Sequence, residues 1–250
     1  MLSPPEAFMA VANATAAIIE KAPPYITYRV HGVVHMANGD ADIDRTVSVR
    51  TEDGDAVIHD EKTGKDVLKP PFPAPPTFDA LSEFQLAGTF TLSLGGSGGS
   101  KRDVDLRVVN IVPLHYTPVA TKADAIAVSV RGYAITYAAD STPGLTHLHC
   151  EPGAQKLKGK HWLRDVWYDS ATMIPSRIVY GGQNDLMLDT RYTTVDGVWL
   201  LQSIAVSAVL HAPLWIGRTT LAFHGDYADY RFATSAPDER LVPKPVPSPS

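Results

Sequence analysis

The chain opens with one stretch of helical period and then changes to a period of two. Phe8, Val11, Ala12, Thr15, Ile18 and Ile19 recur at helical spacing. Ser3 and Glu6 frame a capping box, with Pro4 at the first helical position, where its missing N–H costs nothing. Pro23-Pro24 stops the run, so the pattern predicts a helix over 3–21 whose apolar stripe must cover something. From Tyr25 the alternation takes over. Ile26, Tyr28, Val30, Val34 and Met36 share one face, and Thr27, Arg29, His31 and His35 share the other. Strands are expected next at Asp40–Thr51 and Gly54–His59, then at Gly88–Leu94, Val104–Pro113, Ala125–Ala138 and Leu145–Cys150. They continue at Lys156–Tyr168, Ile174–Tyr180, Asp185–Thr193, Val198–Leu210 and Arg218–Phe232. Asp196-Gly197 is the strongest short hairpin signal.

Two segments break this rhythm. Pro70, Pro71, Pro73, Pro75 and Pro76 cannot enter a ladder, and Thr77–Leu86, with Phe78, Leu81 and Phe84 or Leu86, reads as a short helix. Residues 60–86 are therefore expected to form a Pro-rich flap over the sheet. Residues 237–250, ending in Pro-x-Pro repeats, read as a disordered tail. What remains, 1–236, is a single domain. One helix and about ten antiparallel strands make the fold class mainly β with an N-terminal helix. A twisted sheet of that size curls, giving an incomplete β-barrel covered by helix and flap, with a two-sheet sandwich as the alternative.

Composition narrows the function more than the fold. The 250 residues carry Lys+Arg 22 against Asp+Glu 27, a formal charge of −5, so no basic excess points to nucleic acid. A single cysteine, Cys150, excludes an intramolecular disulfide and every multi-cysteine metal site. No run approaches the roughly 18 apolar residues of a membrane helix. Met1-Leu2-Ser3-Pro4-Pro5-Glu6 lacks the regions of a signal peptide, which suits either a cytosolic chain or a mature exported one.

Four patterns invite chemistry. Gly95-Gly96-Ser97-Gly98-Gly99 matches G-x-S-x-G, yet a strand leads out where a nucleophile elbow needs a helix, so a Gly/Ser loop explains it. His147 and His149 share a face of one strand, with Cys150 on the other, and His161 could join them from a neighbouring strand. Three imidazoles can hold zinc, but no local signature such as H-E-x-x-H supports it, and nine histidines leave several for solvent faces. Asp40-x-Asp42-x-Asp44 opens like a calcium loop and then fails at Arg45 and Thr51. Lys156, Lys158 and Lys160 suit an edge strand that discourages sheet association, or a cationic strip for an anionic headgroup. No catalytic residue, cofactor or metal is assigned.

The second half carries an ordered set of motifs. Trp167-Tyr168-Asp169-Ser170-Ala171-Thr172 leads through a D-x-x-T turn to Ile174-Pro175-Ser176-Arg177-Ile178-Val179-Tyr180. Tyr192 precedes Val195-Asp196-Gly197-Val198-Trp199-Leu200, and Phe223 precedes Tyr227-Ala228-Asp229-Tyr230-Arg231-Phe232. This order resembles the lipoprotein-localisation superfamily, carriers of the LolA/LolB type, over about residues 157–232. Leu201 stands where that family usually has Pro, and the 60–86 insert is a further departure.

The resemblance implies an incomplete barrel wrapped around helices, with an apolar cavity for acyl chains, and a carrier with no enzymatic activity. Expected partners are a hydrophobic small molecule, lipid or lipidated protein, with peripheral membrane contact, in the periplasm or otherwise exported. Residues expected to line the cavity or its lid are Phe8, Ile18, Tyr28, Phe78, Leu81, Phe90, Trp167 and Trp199. The alternatives are a metal-dependent or hydrolytic enzyme built on His147, His149 and His161, and a ligand-free interaction module.

Overall fold

A computed structural model describes residues 2–19, 21–36, 39–51, 56–67, 85–86, 111–112, 133–139, 142–152, 161–182, 185, 187–211 and 218–243. Among the described residues the one α-helix, α1, spans Pro4–Ile19. The expected cap is half made: Glu6 Oε2 accepts from the Ser3 backbone N–H at 3.0 Å, while Ser3 Oγ turns to donate to the same oxygen at 2.9 Å. Ala7, Phe8, Val11, Ala12 and Thr15 form the buried stripe. Thr15 satisfies its hydroxyl inside the core by donating to Val11 O at 2.8 Å.

The strands are β1 (Tyr25–Met36), β2 (Gly39–Arg50), β3 (Ala56–Asp60), β4 (Lys65–Val67), β5 (Gln85–Leu86), β6 (Ile111–Val112) and β7 (Tyr133–Tyr137). They continue as β8 (Leu145–Pro152), β9 (His161–Asp169), β10 (Pro175–Gly182), β11 (Met187–Val195), β12 (Val198–His211) and β13 (Arg218–Ala233). Eleven form one sheet in the order β4-β3-β2-β1-β13-β12-β11-β10-β9-β8-β7, all antiparallel. The edges β4 and β7 do not pair with each other, so the sheet is curled and open, as the sequence pattern predicts, and the sandwich alternative falls.

Irregularities supply the curl. Register shifts fall between Thr27 and Arg29, between Arg191 and Tyr192, and at two places between β9 and β10. Each adds a residue to one strand and increases its local twist. The hairpin at Asp196-Gly197 has φ of 51° and 78°, the left-handed pair that two-residue hairpins require. At the β9–β10 turn, Asp169 Oδ1 accepts from Ala171 N (2.9 Å), Thr172 N (2.7 Å) and Thr172 Oγ1 (3.0 Å). These bonds hold the Asp169 carboxyl below the usual carboxylate range.

Two expectations are corrected. Gln85–Leu86, at the end of the stretch read as a short helix, pairs as β5 with β6, while the rest of 68–84 lies outside the described residues. The tail expected from 237 starts instead with ordered chain: Glu239–Leu241 is a 3-10 turn capped by Asp238, and Leu241 is fully buried. Arg50 Nη1 donates to Leu241 O, fastening this turn to the end of β2.

Candidate functional site

Apolar side chains build two clusters; all but Val198 and Leu200 share the concave face that α1 covers, and those two alternate with Trp199 on β12. In the first, Phe8 and Val11 of α1 pack against Leu148, Val166, Ile178, Leu188, Trp199 and Ile204. Trp199 stacks on Tyr192 at 4.0 Å between centroids and donates Nε1–H to Pro175 O at 2.8 Å. Phe223 covers a glycine pair, Gly32 opposite Gly225, where a Cβ on Gly225 would lie 2.7 Å from the Phe223 ring. The second cluster joins Ile26, Tyr28 and Val30 to Val47, Val49 and Ile58, with Val198 and Leu200 arriving from β12. No described side chain of α1 belongs to it. Tyr227 packs against both clusters, and its ring lies 5.8 Å from that of Tyr28. Burial raises the Tyr28, Tyr192 and Tyr227 phenols well above their ordinary range, so all three are neutral.

Among the described residues, a charged pair, Arg45 and Asp60, interrupts this face. Arg45 stands on β2 between Ile43, which packs against the first cluster, and Val47 of the second. Across the ladder it lies opposite Val30 on one side and Asp60 on the other.

The expected cavity residues scatter accordingly. Phe8 and Trp199 are packed within the first cluster, Ile18 is half-buried against it, and Tyr28 sits in the second. Trp167 is a correction: its neighbours Val166 and Tyr168 face α1, and Trp167 points to the opposite face. Phe78, Leu81 and Phe90 lie outside the described residues.

On that opposite, outer face the two strand histidines meet one carboxylate. Asp165 Oδ1 accepts from His147 Nε2 at 3.0 Å and from His149 Nδ1 at 2.7 Å, with each imidazole in the tautomer that carries the proton there. His147 stacks on Trp167 at 4.0 Å, the Arg177 guanidinium lies 4.3 Å over Trp167, and Arg177 grips Asp189 through two bonds of 2.9 and 2.8 Å. The arrangement is a cross-strand polar ladder in which both histidines spend a nitrogen on the same oxygen. The side chain of His161 lies outside the described residues, and among those described no group of three or more His, Cys, Asp or Glu could hold a metal. Cys150, on the concave side, has its thiol pushed up to about 12 by burial, which removes it as a nucleophile at neutral pH.

The acidic run on β2 is spent on basic side chains. Asp40 meets His35 (2.9 Å), Asp42 meets Lys62 (3.1 Å), and Asp44 takes Arg29 at 2.8 Å. Two shallow polar grooves, about 340 and 300 Å³, lie over this outer face and share His224 and Asp226. The sequence reading missed Asp165, Arg177 and Asp189, whose partners are on other strands and follow from register alone. Arg45 carried one signal, its parity with Val47 and Val49.

No family profile matches the chain, and no curated protein matches it. Three solved structures are similar along nearly the whole chain. A DUF1329 family protein from Desulfovibrio piger has a TM-score of 0.46 at 12% identity, covering 96% of this chain and 98% of its own. A putative outer membrane lipoprotein-sorting protein domain from Vibrio parahaemolyticus has 0.46 at 10% identity, covering 94% and 95%. A LolA superfamily protein from Nitrosomonas europaea has 0.37 at 12% identity, covering 88% and 93%.

Proposed function

We propose that this chain is a non-enzymatic carrier that shelters a lipid or acyl chain against the concave face of its sheet, in the periplasm or another exported compartment. The observation that carries the reading is an open eleven-stranded sheet whose concave side bears two apolar clusters, one of them covered by a single 16-residue helix. Such a helix, tied to β1 through Pro23-Pro24, is a natural lid. Moving it exchanges its own apolar stripe for an acyl chain on the same side chains. The order of motifs over 157–232 supports the same reading. Partners are then a hydrophobic small molecule or a lipidated protein, delivered at a membrane surface; no helix among the described residues is long and apolar enough to cross one.

Native mass spectrometry of the purified protein, followed by organic extraction, tests this. A mass excess that extracts as fatty acid or phospholipid is expected. Failure of the delipidated, refolded protein to bind any acyl chain at stoichiometric concentration overturns the reading.

A further inference from the structure

Arg45 is the basic member of the charged pair on the concave face between the two apolar clusters, and its bonding is incomplete. Its Nε is shielded from solvent and meets no hydrogen-bond partner among the described residues. The carboxylate opposite, Asp60, has Oδ2 at 3.9 Å, too long for a hydrogen bond. Asp60 cannot close that gap cheaply, because its Oδ1 holds the turn after β3, accepting from Lys62 N (3.1 Å), Thr63 N (2.9 Å) and Thr63 Oγ1 (3.0 Å). The guanidinium therefore has a counter-charge but lacks an acceptor. A buried donor left unpaired is costly, and the site stands where an extended apolar ligand would pass from one cluster to the other. Nε itself is covered, but the side chain as a whole is 19% exposed, so an occupant meets the guanidinium at its exposed edge.

Resting on the carrier reading, we infer that Arg45 hydrogen-bonds an uncharged carbonyl oxygen of the bound lipid, so that the ligand is an esterified acyl chain and not a free fatty acid. An ester oxygen supplies the missing acceptor and leaves the Arg45–Asp60 charge balance intact. A fatty-acid carboxylate would place two negative charges beside one positive charge in a partly desolvated site. Burial already pulls the Arg45 guanidinium below its ordinary range, with Asp60 opposing the shift.

The test compares cis-parinaric acid with its methyl ester, both read by fluorescence enhancement on the delipidated full chain at pH 8. Wild type is expected to bind the ester about ten-fold more tightly than the acid. Asp60→Asn keeps an oxygen for the turn and removes the negative charge, and it is expected to reverse that order in favour of the acid. Arg45→Met is expected to lose about ten-fold in ester binding. Equal affinities of wild type for acid and ester, or an order unchanged in Asp60→Asn, overturn the role of Arg45 and leave the carrier reading standing. Binding of neither probe overturns both. The wild-type and Asp60→Asn comparison decides the matter even where Arg45→Met does not fold.

Discussion

Trp199 donates its indole N–H to the carbonyl oxygen of Pro175 at 2.8 Å, and both atoms are buried. That bond ties the β11–β12 hairpin to the first residue of β10, while the indole face stacks on Tyr192. Replacing Trp199 by Phe keeps a ring for stacking but leaves the Pro175 carbonyl without its donor. A loss of about 1–3 kcal/mol is expected, and Trp199→Ala should lose about 3–5 kcal/mol. Urea denaturation measures both. Equal stability of Trp199→Phe and wild type would show that the bond contributes nothing.

The Phe223 ring lies over the Gly32–Gly225 pair with no room for a side chain on either glycine. A Cβ on Gly225 meets the far end of the Phe223 ring at 2.7 Å, whereas one on Gly32 also meets His224 O at 2.8 Å, which is backbone and cannot give way. Gly225→Ala should therefore cost about 1–3 kcal/mol, and Phe223→Leu in the same chain should restore part of it. Gly32→Ala should not be rescued by Phe223→Leu. The two double mutants, compared by thermal denaturation, separate a ring clash from a backbone clash.

What was legible in the sequence was whatever depends on local period. Alternation in Tyr25–Met36 named the face that holds Ile26, Tyr28 and Val30, and Asp196-Gly197 marked a hairpin whose geometry requires those residues. Trp199 was assigned to a ligand cavity because an aromatic on a strand has the same local pattern whether it lines a pocket or fills a core; its partner, Pro175, lies on another strand. Trp167 was placed on the wrong face because adjacent aromatics, Trp167 and Tyr168, give the alternation no apolar-polar contrast to read. Arg45 looked like a defect in a calcium loop. Its meaning comes from standing opposite Val30, and that is a fact of register.

The outer-face ladder is expected to contribute little to stability. Arg177 and Asp189 make a two-bond pair, but their side chains are 37% and 27% exposed, so water and salt screen the attraction. A double-mutant cycle with Arg177→Gln and Asp189→Asn should give a coupling below about 1 kcal/mol, falling further at high salt. A coupling several times larger would mean that the ladder is far drier than its exposure implies.

Acid sensitivity should trace to carboxylates that accept hydrogen bonds. The Asp169 carboxyl is held below its ordinary value by the backbone and hydroxyl of Thr172 and by the backbone of Ala171. Its folded-state pKa lies below the unfolded value, near 3.9 on the scale of about one unit's spread. The contribution is therefore complete above that pH and is lost as pH falls through the folded value. Asp238 behaves alike, held down to about 2 by Arg240. Stability measured from neutral pH downward should decline on this limb, and Asp169→Asn, which keeps an acceptor but cannot titrate, should flatten it.

Cys150 offers a reporter of whether α1 moves as the proposed lid. It is buried in the first cluster, in the same core as Phe8 and Val11 of α1, and its thiol is pushed up to about 12. Alkylation in the native state must therefore proceed through an opening of the structure. If α1 leaves its seat alone, labelling at low urea should be independent of denaturant and should merge with the global unfolding limb only near the transition. Phe8→Ala weakens docking of the helix by about 3–5 kcal/mol, so the urea-independent rate should rise by at least ten-fold. Labelling that follows global unfolding at every urea concentration, in both proteins, would mean that the helix is fixed to the sheet and cannot serve as a lid.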